Sequence, residues 1–355
     1  MPVPAIAATF AIALALALAL TPAAVRLGLK LGIADKPGGR RKHSRITSRL
    51  GAVPLFGAFI SAALISQAFG VPTLDPQEGV RLAGLLLGSV VIFIAGLLDD
   101  RFDLPPGLQF GFQALGAGIA IAHLIFIERF HNPFIGQEQV LPGWQVIALS
   151  LFWFVGMMNT VNFLDGVDGL AASVSLIAAS VTAIHMLREG QYSVALLPIA
   201  LAGALLGFLV FNFQPARIFL GSGAQYLGFT LACLGIIAGA KVALLLLVMG
   251  APIADVVWQV IDRVRRGKSP LQGDRGHLHF RLADAGWSAR RIVALYAAGC
   301  LTFGAVALIA QPPLLKLATL GVVMAGVVIT LVRLSSRNRE SATGHITTAS
   351  PPAEH

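Results

Sequence analysis

The chain has 355 residues, of which 56% are hydrophobic and only 12% charged. A soluble domain carries roughly 25% charged residues, so soluble fold classes are excluded and the composition is that of an all-α polytopic integral membrane protein. The net charge of +9 does not point to nucleic acid as a partner, because in a membrane protein the placement of Lys and Arg reports topology rather than a ligand.

In chain order, apolar runs fall at 4–25, 51–70, 82–98, 108–127, 144–158, 169–187, 193–211, 226–240, 242–261, 291–310 and 314–333. Since about 20 apolar residues cross a bilayer, they predict eleven transmembrane helices, or ten if the eighth and ninth, separated only by Gly239-Ala240-Lys241, are one. No basic residue precedes the first run, so it reads as a retained helix rather than a signal peptide. The fifth run is short, which suggests that its helix continues into the polar residues after it. Residues 1–334 are expected to form a single transmembrane domain, and the polar stretch 335–355 a disordered cytoplasmic tail. Cys233 and Cys300 both sit in apolar runs and read as small core residues, with no disulfide framework or zinc site.

Placing the N-terminus outside puts 26–50, 99–107, 159–168, 212–225, 262–291 and 333–355 on the cytoplasmic side. Of the 26 Lys and Arg, only Arg81, Arg129, Arg188, Lys241 and Lys316 then fall elsewhere, as the positive-inside rule requires. The same threading gathers Asp35, Asp99, Asp100, Asp103, Asp165, Asp168, Asp262 and Asp274 on the cytoplasmic side, with Asp255 near that end of its helix. Polar groups from five loops converging on one face describe an active site better than a conduction path, whose polar groups would lie near the midplane at broken helices.

The first of these loops, Asp35 to Arg45, joins a Gly-Gly pair to a cluster of cations that includes Arg41 and is followed by His43. It suits phosphate or anionic lipid, although a topology signal alone gives the same pattern. In the second, Asp99 and Asp100 end a predicted helix. Adjacent carboxylates repel unless a cation or proton is shared, and hard oxygen ligands that also hold substrate phosphates suit Mg²⁺. The third carries Asn159, Asn162, Asp165 and Asp168 at three-residue spacing. If the helix continues through them, they form a polar ladder near one face; a capped, water-exposed loop is the plainer alternative. In the fourth, Arg217 is followed by Gly221-Ser222-Gly223 before a helix, which fits either an anion cradle or a simple turn. The fifth holds Asp274, His277, His279 and Arg281, a set able to take a diphosphate or a divalent ion.

Taken together, Gly96–Pro106, Asn159–Ala171, Phe211–Phe229 and Asp274–Leu282 resemble, in order, the motifs of the polyprenyl-phosphate N-acetylhexosamine-1-phosphate transferases. The resemblance covers roughly 26 to 310, and the His-x-His loop is more similar to the branch using UDP-N-acetylglucosamine than to the branch using the muramoyl-pentapeptide nucleotide. It implies transfer of GlcNAc-1-phosphate from UDP-GlcNAc to undecaprenyl phosphate with Mg²⁺, releasing UMP, in a multi-pass plasma-membrane enzyme that a homodimer would suit. It further implies that one of Asp99 and Asp100 deprotonates or positions the lipid phosphate. Asn159, Asn162, Asp165 and Asp168 would contact metal and nucleotide. His277, His279 and Arg281 would lie near the sugar-phosphate, with Asp35, Arg41 and His43 in the first loop and Arg217 in the fourth. The expected catalytic set is Asp99, Asp100, Asp165 and Asp168, and the expected metal set Asp100, Asn162 and Asp165. Direct attack is favoured over an enzyme-bound intermediate, because a carboxylate acting as base needs only one transfer.

The sequence also departs from the family's pattern. Leu220-Gly221 is followed directly by Ser222-Gly223, where the family usually places an Asp, a principal Mg²⁺ ligand, between Gly and Ser. Gln109 stands where a Lys is usual, Ile46 and Ser48 where prolines are, Ala52 for a Gly, and Phe280 for a further His. Two alternatives follow: a weakened or inactive relative that binds lipid, and a carrier of lipid or nucleotide.

Overall fold

The computed structural model describes residues 1–35, 46–132, 136–239, 242–267, 276–309 and 313–346. Among them are thirteen helices: α1 (Val3–Leu31), α2 (Ala52–Gln67), α3 (Glu78–Phe102), α4 (Pro106–Ala122), α5 (Gly143–Leu164), α6 (Leu170–Arg188), α7 (Tyr192–Asn212), α8 (Gly223–Ile237), α9 (Val242–Val248), α10 (Gly250–Arg265), α11 (Leu278–Asp284), α12 (Ala289–Ile309) and α13 (Pro313–Ile346). Two short antiparallel pairs join them, β1 (Ala34–Asp35) with β2 (Thr47–Ser48) and β3 (Arg129–Asn132) with β4 (Gln137–Val140).

Every expected apolar run falls on a helix or a helix pair. Six helices, α1, α3, α5, α6, α7 and α12, are long and apolar enough to cross a membrane. The chain is thus a multi-pass, all-helical membrane protein. The ninth run departs from expectation: α9 and α10 meet at a bend of 80°, so this run is not one straight span, though as a broken span it would raise the six crossings to seven. Gly250 and Pro252 explain the break, because glycine weakens a helix interior while proline is accommodated only in the first turn of a new one. Helix α2, helix α8 and the segment Leu314–Thr330 are apolar but shorter. Helix α13 runs past Ser335 to Ile346, through residues with good helix propensity such as Arg339, Glu340 and Ala342; the rest of the expected tail lies outside the described residues.

At the centre of the bundle lies α8. Every one of its residues is buried, which matches a helix that is apolar all round. Helix α5 flanks it through Trp153, whose Nε1–H donates to the Ala232 carbonyl at 3.1 Å, and through Phe154 stacked on Phe229. Small residues let the backbones close up. A Cβ on Gly228 would lie 2.5 Å from the Met158 Cα and 2.6 Å from the Met157 carbonyl, and one on Gly207 of α7 would lie 2.8 Å from the Leu14 carbonyl of α1. Such close approach is how helices associate where lipid removes the hydrophobic drive. Cys233 and Cys300 are both buried, as expected of small core residues.

Gly228→Ala is expected to destabilise the bundle by roughly 1–3 kcal/mol through overpacking, read as a lower unfolding midpoint in detergent. Gly118→Ala on α4, where a Cβ meets nothing within 4 Å, should hold or raise the midpoint. An unchanged midpoint for Gly228→Ala would show that α5 and α8 have room to spare.

Candidate active site

Five segments of the chain meet at one cavity of about 340 Å³. Asp35 and Arg49 enter from the two sides of the first loop, and Asp99 from the end of α3. Asn162, Phe163, Asp165 and Gly166 come from the end of α5, Phe219, Gly221 and Ser222 from the approach to α8, and His277 and Phe280 from the start of α11. The convergence of five loops expected from the sequence is therefore present.

The backbone explains why they meet. Strand β1 pairs with β2, and beyond β2 the Phe219 N–H donates to the Ser48 carbonyl at 2.8 Å while the Gly51 N–H donates to the Phe219 carbonyl at 3.1 Å. The first loop and the approach to α8 are thus stitched together by main-chain bonds. Gly221 has φ +57°, a left-handed conformation that suits glycine. A Cβ there would press on the Arg49 carbonyl and lie 2.7 Å from a carboxylate oxygen of Asp100.

The Asp pair divides into two roles. Asp100 is buried, and the Ser222 N–H reaches its two oxygens at 3.1 and 3.2 Å. The Arg49 guanidinium lies 3.5 Å from Asp100 and 3.6 Å from Asp103. Asp99 faces the cavity. Its Oδ1 accepts the Leu104 N–H and the Gln109 side-chain amide, both at 2.9 Å, and its Oδ2 accepts the Ser222 hydroxyl at 3.2 Å. Mutual repulsion of the two carboxylates is offset by these donors and by Arg49. Asp100, expected among the metal ligands, stands behind the cavity lining, where the Ser222 N–H and Arg49 hold it against the Gly221–Ser222 turn. Gln109, standing where the family has a Lys, holds Asp99 by a neutral bond.

The four-residue ladder also divides. Helix α5 ends at Leu164, with Asp165 as its C-cap, so the single stripe does not persist. Asn162 and Asp165 line the cavity. Asn159 instead donates to Gln113 of α4 and to the Val155 carbonyl, both at 2.8 Å. Asp168 accepts the Ala216 N–H at 3.1 Å and so ties the α7–α8 connection rather than facing the cavity. Arg217 is exposed and away from the cavity lining.

His277 lines the cavity, stacked on Phe163 with ring centroids 5.2 Å apart. His279 is buried behind it, stacked on His277 and tilted against Phe280 with ring centroids 4.3 Å apart. Gly166 leaves room for this pair, since a Cβ there would strike the His279 Nε2 and lie 2.5 Å from Phe280. Arg281 folds back, its Nε donating to the Gly276 carbonyl at 2.6 Å. Arg41, His43 and Asp274 lie outside the described residues. Sequence reasoning did not single out Arg49, Phe163, Phe219 or Gln113, whose places depend on the fold. Asp255 carried a weak signal: with Gln259 and Arg263 it forms a polar i, i+4, i+8 stripe on an otherwise apolar run.

Whether the site suits Mg²⁺ can be judged from its donors. Among the described residues no three His, Cys, Asp or Glu side chains gather closely enough to hold an ion by themselves. The cavity does offer the hard oxygens of Asp35, Asp99, Asn162 and Asp165. Mg²⁺ is commonly held by one or two carboxylates, with water and substrate phosphates completing its shell, and this donor set fits that mode. Three carboxylates against one guanidinium, among the described lining residues, would also repel a phosphate dianion unless a cation entered with it.

The sequence profile described as glycosyl transferase family 4 matches residues 82–239. A Bacillus subtilis protein described as "probable undecaprenyl-phosphate N-acetylglucosaminyl 1-phosphate transferase" is 31% identical over 297 residues, covering 81% of this chain and 80% of its own. A Mycolicibacterium smegmatis decaprenyl-phosphate N-acetylglucosaminephosphotransferase is 30% identical over 346 residues, covering 89% and 85%. A Listeria welshimeri phospho-N-acetylmuramoyl-pentapeptide-transferase is 32% identical over 324 residues, covering 86% and 95%. Similarity of this extent, carried by a chain whose polar loops meet at one site, shows that the protein belongs to glycosyl transferase family 4, a family of membrane-embedded transferases.

Proposed function

We propose that the protein transfers GlcNAc-1-phosphate from UDP-GlcNAc to undecaprenyl phosphate, giving GlcNAc-diphospho-undecaprenol and UMP as the first membrane step of a cell-wall or surface polysaccharide pathway. The observation that carries this reading is one cavity at which Asp99, Asn162, Asp165 and His277 arrive from separate segments. The names of the Bacillus and Mycolicibacterium relatives support the sugar and a polyprenyl acceptor. We assign the N-terminus to the outside, about eleven crossings to the chain and the cavity to the cytoplasmic face, on the distribution of Lys and Arg.

In this reading Asp99 meets the lipid phosphate. Its Oδ2 takes the proton of that phosphate if one is present, and the Ser222 hydroxyl and Gln109 amide hold the carboxylate in place. A phosphate oxygen then bonds to the β-phosphorus of UDP-GlcNAc, and the bond to the bridging α–β oxygen breaks, so that UMP leaves with that oxygen. Asn162 and Asp165, with Asp99, would hold Mg²⁺, which supplies charge neutralisation of the transferring phosphoryl group. Arg49 offsets charge at the cavity wall, and His277 shapes that wall beside Phe163. Asp100 acts at one remove, fixing the Gly221–Ser222 turn. A second reading, a weakened relative that binds lipid, is favoured by one observation: this turn brings no carboxylate to the cavity.

Purified protein given UDP-GlcNAc, undecaprenyl phosphate and Mg²⁺ is expected to release UMP, and chelation to abolish release until Mg²⁺ is returned. No release above a protein-free control would favour the second reading. Asp165→Asn should lower turnover on the order of 100-fold or more, as loss of a group that stabilises developing charge does. Inserting Asp between Gly221 and Ser222 should raise turnover; an unchanged rate would show that the cavity's own oxygens suffice.

Asp99→Asn and Asp100→Ala should separate by readout. Asp99→Asn is expected to remove turnover at an unchanged unfolding midpoint. Asp100→Ala strands the buried Ser222 N–H and should destabilise by roughly 1–3 kcal/mol. Equal midpoints for the two variants would count against the anchoring role of Asp100.

A further inference from the structure

The loop that brings His277 to the cavity is gripped by one stripe of α10. Asp255, Gln259 and Arg263 stand four residues apart, so they share a face, and all three are buried. Gln259 donates to the Gly276 carbonyl at 2.5 Å. The Asp255 Oδ1 accepts the Leu278 N–H at 3.0 Å, and its Oδ2 lies 3.0 Å from the His277 Nδ1. On the other edge of the imidazole, the Arg263 Nη2 lies 3.4 Å from Nε2, and its guanidinium sits over the Phe163 ring at 5.8 Å. A guanidinium only donates, so Nε2 must accept; a carboxylate facing Nδ1 accepts, so Nδ1 must carry the hydrogen. Two neighbours on opposite edges of the ring require the same tautomer.

We propose that Asp255 is a positioning residue: it holds His277 as the Nδ1–H tautomer, with Nε2 accepting from Arg263, and so fixes the imidazole at the wall of the cavity where the sugar-phosphate is handled. The assignment of a sugar-phosphate rests on the proposed transfer reaction; the tautomer does not. The bend between α9 and α10 now has a purpose, because it turns the polar stripe of α10 towards the His277 loop. A carboxylate behind a histidine is a recurrent way of fixing ring orientation and tautomer.

Asp255→Asn tests this with little change of shape. The Leu278 N–H needs the one oxygen of the new amide, so its NH₂ faces Nδ1, and the ring must turn over to the Nε2–H tautomer. In protein labelled with ¹⁵N-histidine, with the His277 signals identified by their loss in His277→Gln, wild type is expected to show a protonated Nδ1 and an unprotonated Nε2. Asp255→Asn should show the reverse. Turnover of Asp255→Asn should fall about 10–100-fold, the usual effect of removing such a partner, with KM for UDP-GlcNAc within about threefold of wild type, the pattern of an interaction made in the transition state. A protonated Nε2 in wild type, an unchanged tautomer in the variant, or turnover within about twofold of wild type would overturn the proposal. If the variant does not fold, the wild-type tautomer decides alone. If wild type releases no UMP, the transfer reaction fails while the ring nitrogens still judge Asp255.

Discussion

Helix α8 has no face to give to lipid. Buried along its whole length, it fixes the turn that precedes it as firmly as the core itself, and that turn carries the Ser222 N–H to Asp100 and the Ser222 hydroxyl to Asp99. A packed interior responds to displacement as a solid rather than a fluid. The geometry of the Asp pair is therefore inherited from packing deep in the bundle, not from the loops that surround it. The same turn is stitched to the first loop by main-chain bonds around Ser48 and Phe219, so three of the five segments at the cavity form one rigid unit. The α5 end and the His277 loop are held separately, the first by its own helix and the second by α10.

In the proposed reading this division leaves the metal to fewer carboxylates than a site with the family's usual Asp would offer. Asp100, which the resemblance would make a ligand, is drawn into the framework by a backbone donor and a guanidinium. Oxygens facing the cavity are left to Asp35, Asp99, Asn162 and Asp165. A pair of neighbouring carboxylates can thus be split between structure and chemistry by which of the two is closer to a fixed N–H.

Much of this was legible in the sequence, and the boundary of legibility is physical. Apolar runs became helices because hydrophobic spacing is a local signal. Asp99, Asn162, Asp165 and His277, which line the cavity, stand out in the sequence because polar side chains at the ends of apolar helices have few structural reasons to be there. The ladder from Asn159 to Asp168 is one stripe only if its helix continues, and the helix stops at Leu164 while Asp168 finds its partner in Ala216, far along the chain. No local pattern encodes that bond. Arg49 was hidden among cations whose first duty is topology. The break before α10 could have been read from Gly250 and Pro252, had the length of the run not argued for a single span. Asp255 was visible only as a stray acid; its meaning required the loop that folds onto it.

The two cysteines bear on sidedness. Cys233 and Cys300 are sealed in the core, where a water-soluble thiol reagent cannot reach the sulfur it must meet as thiolate. The native chain is accordingly silent to such reagents, and a cysteine introduced at any loop would report on a dark background. The protein comes already prepared for mapping which of its loops faces which compartment, without first stripping its own thiols and disturbing the helix on which the site depends.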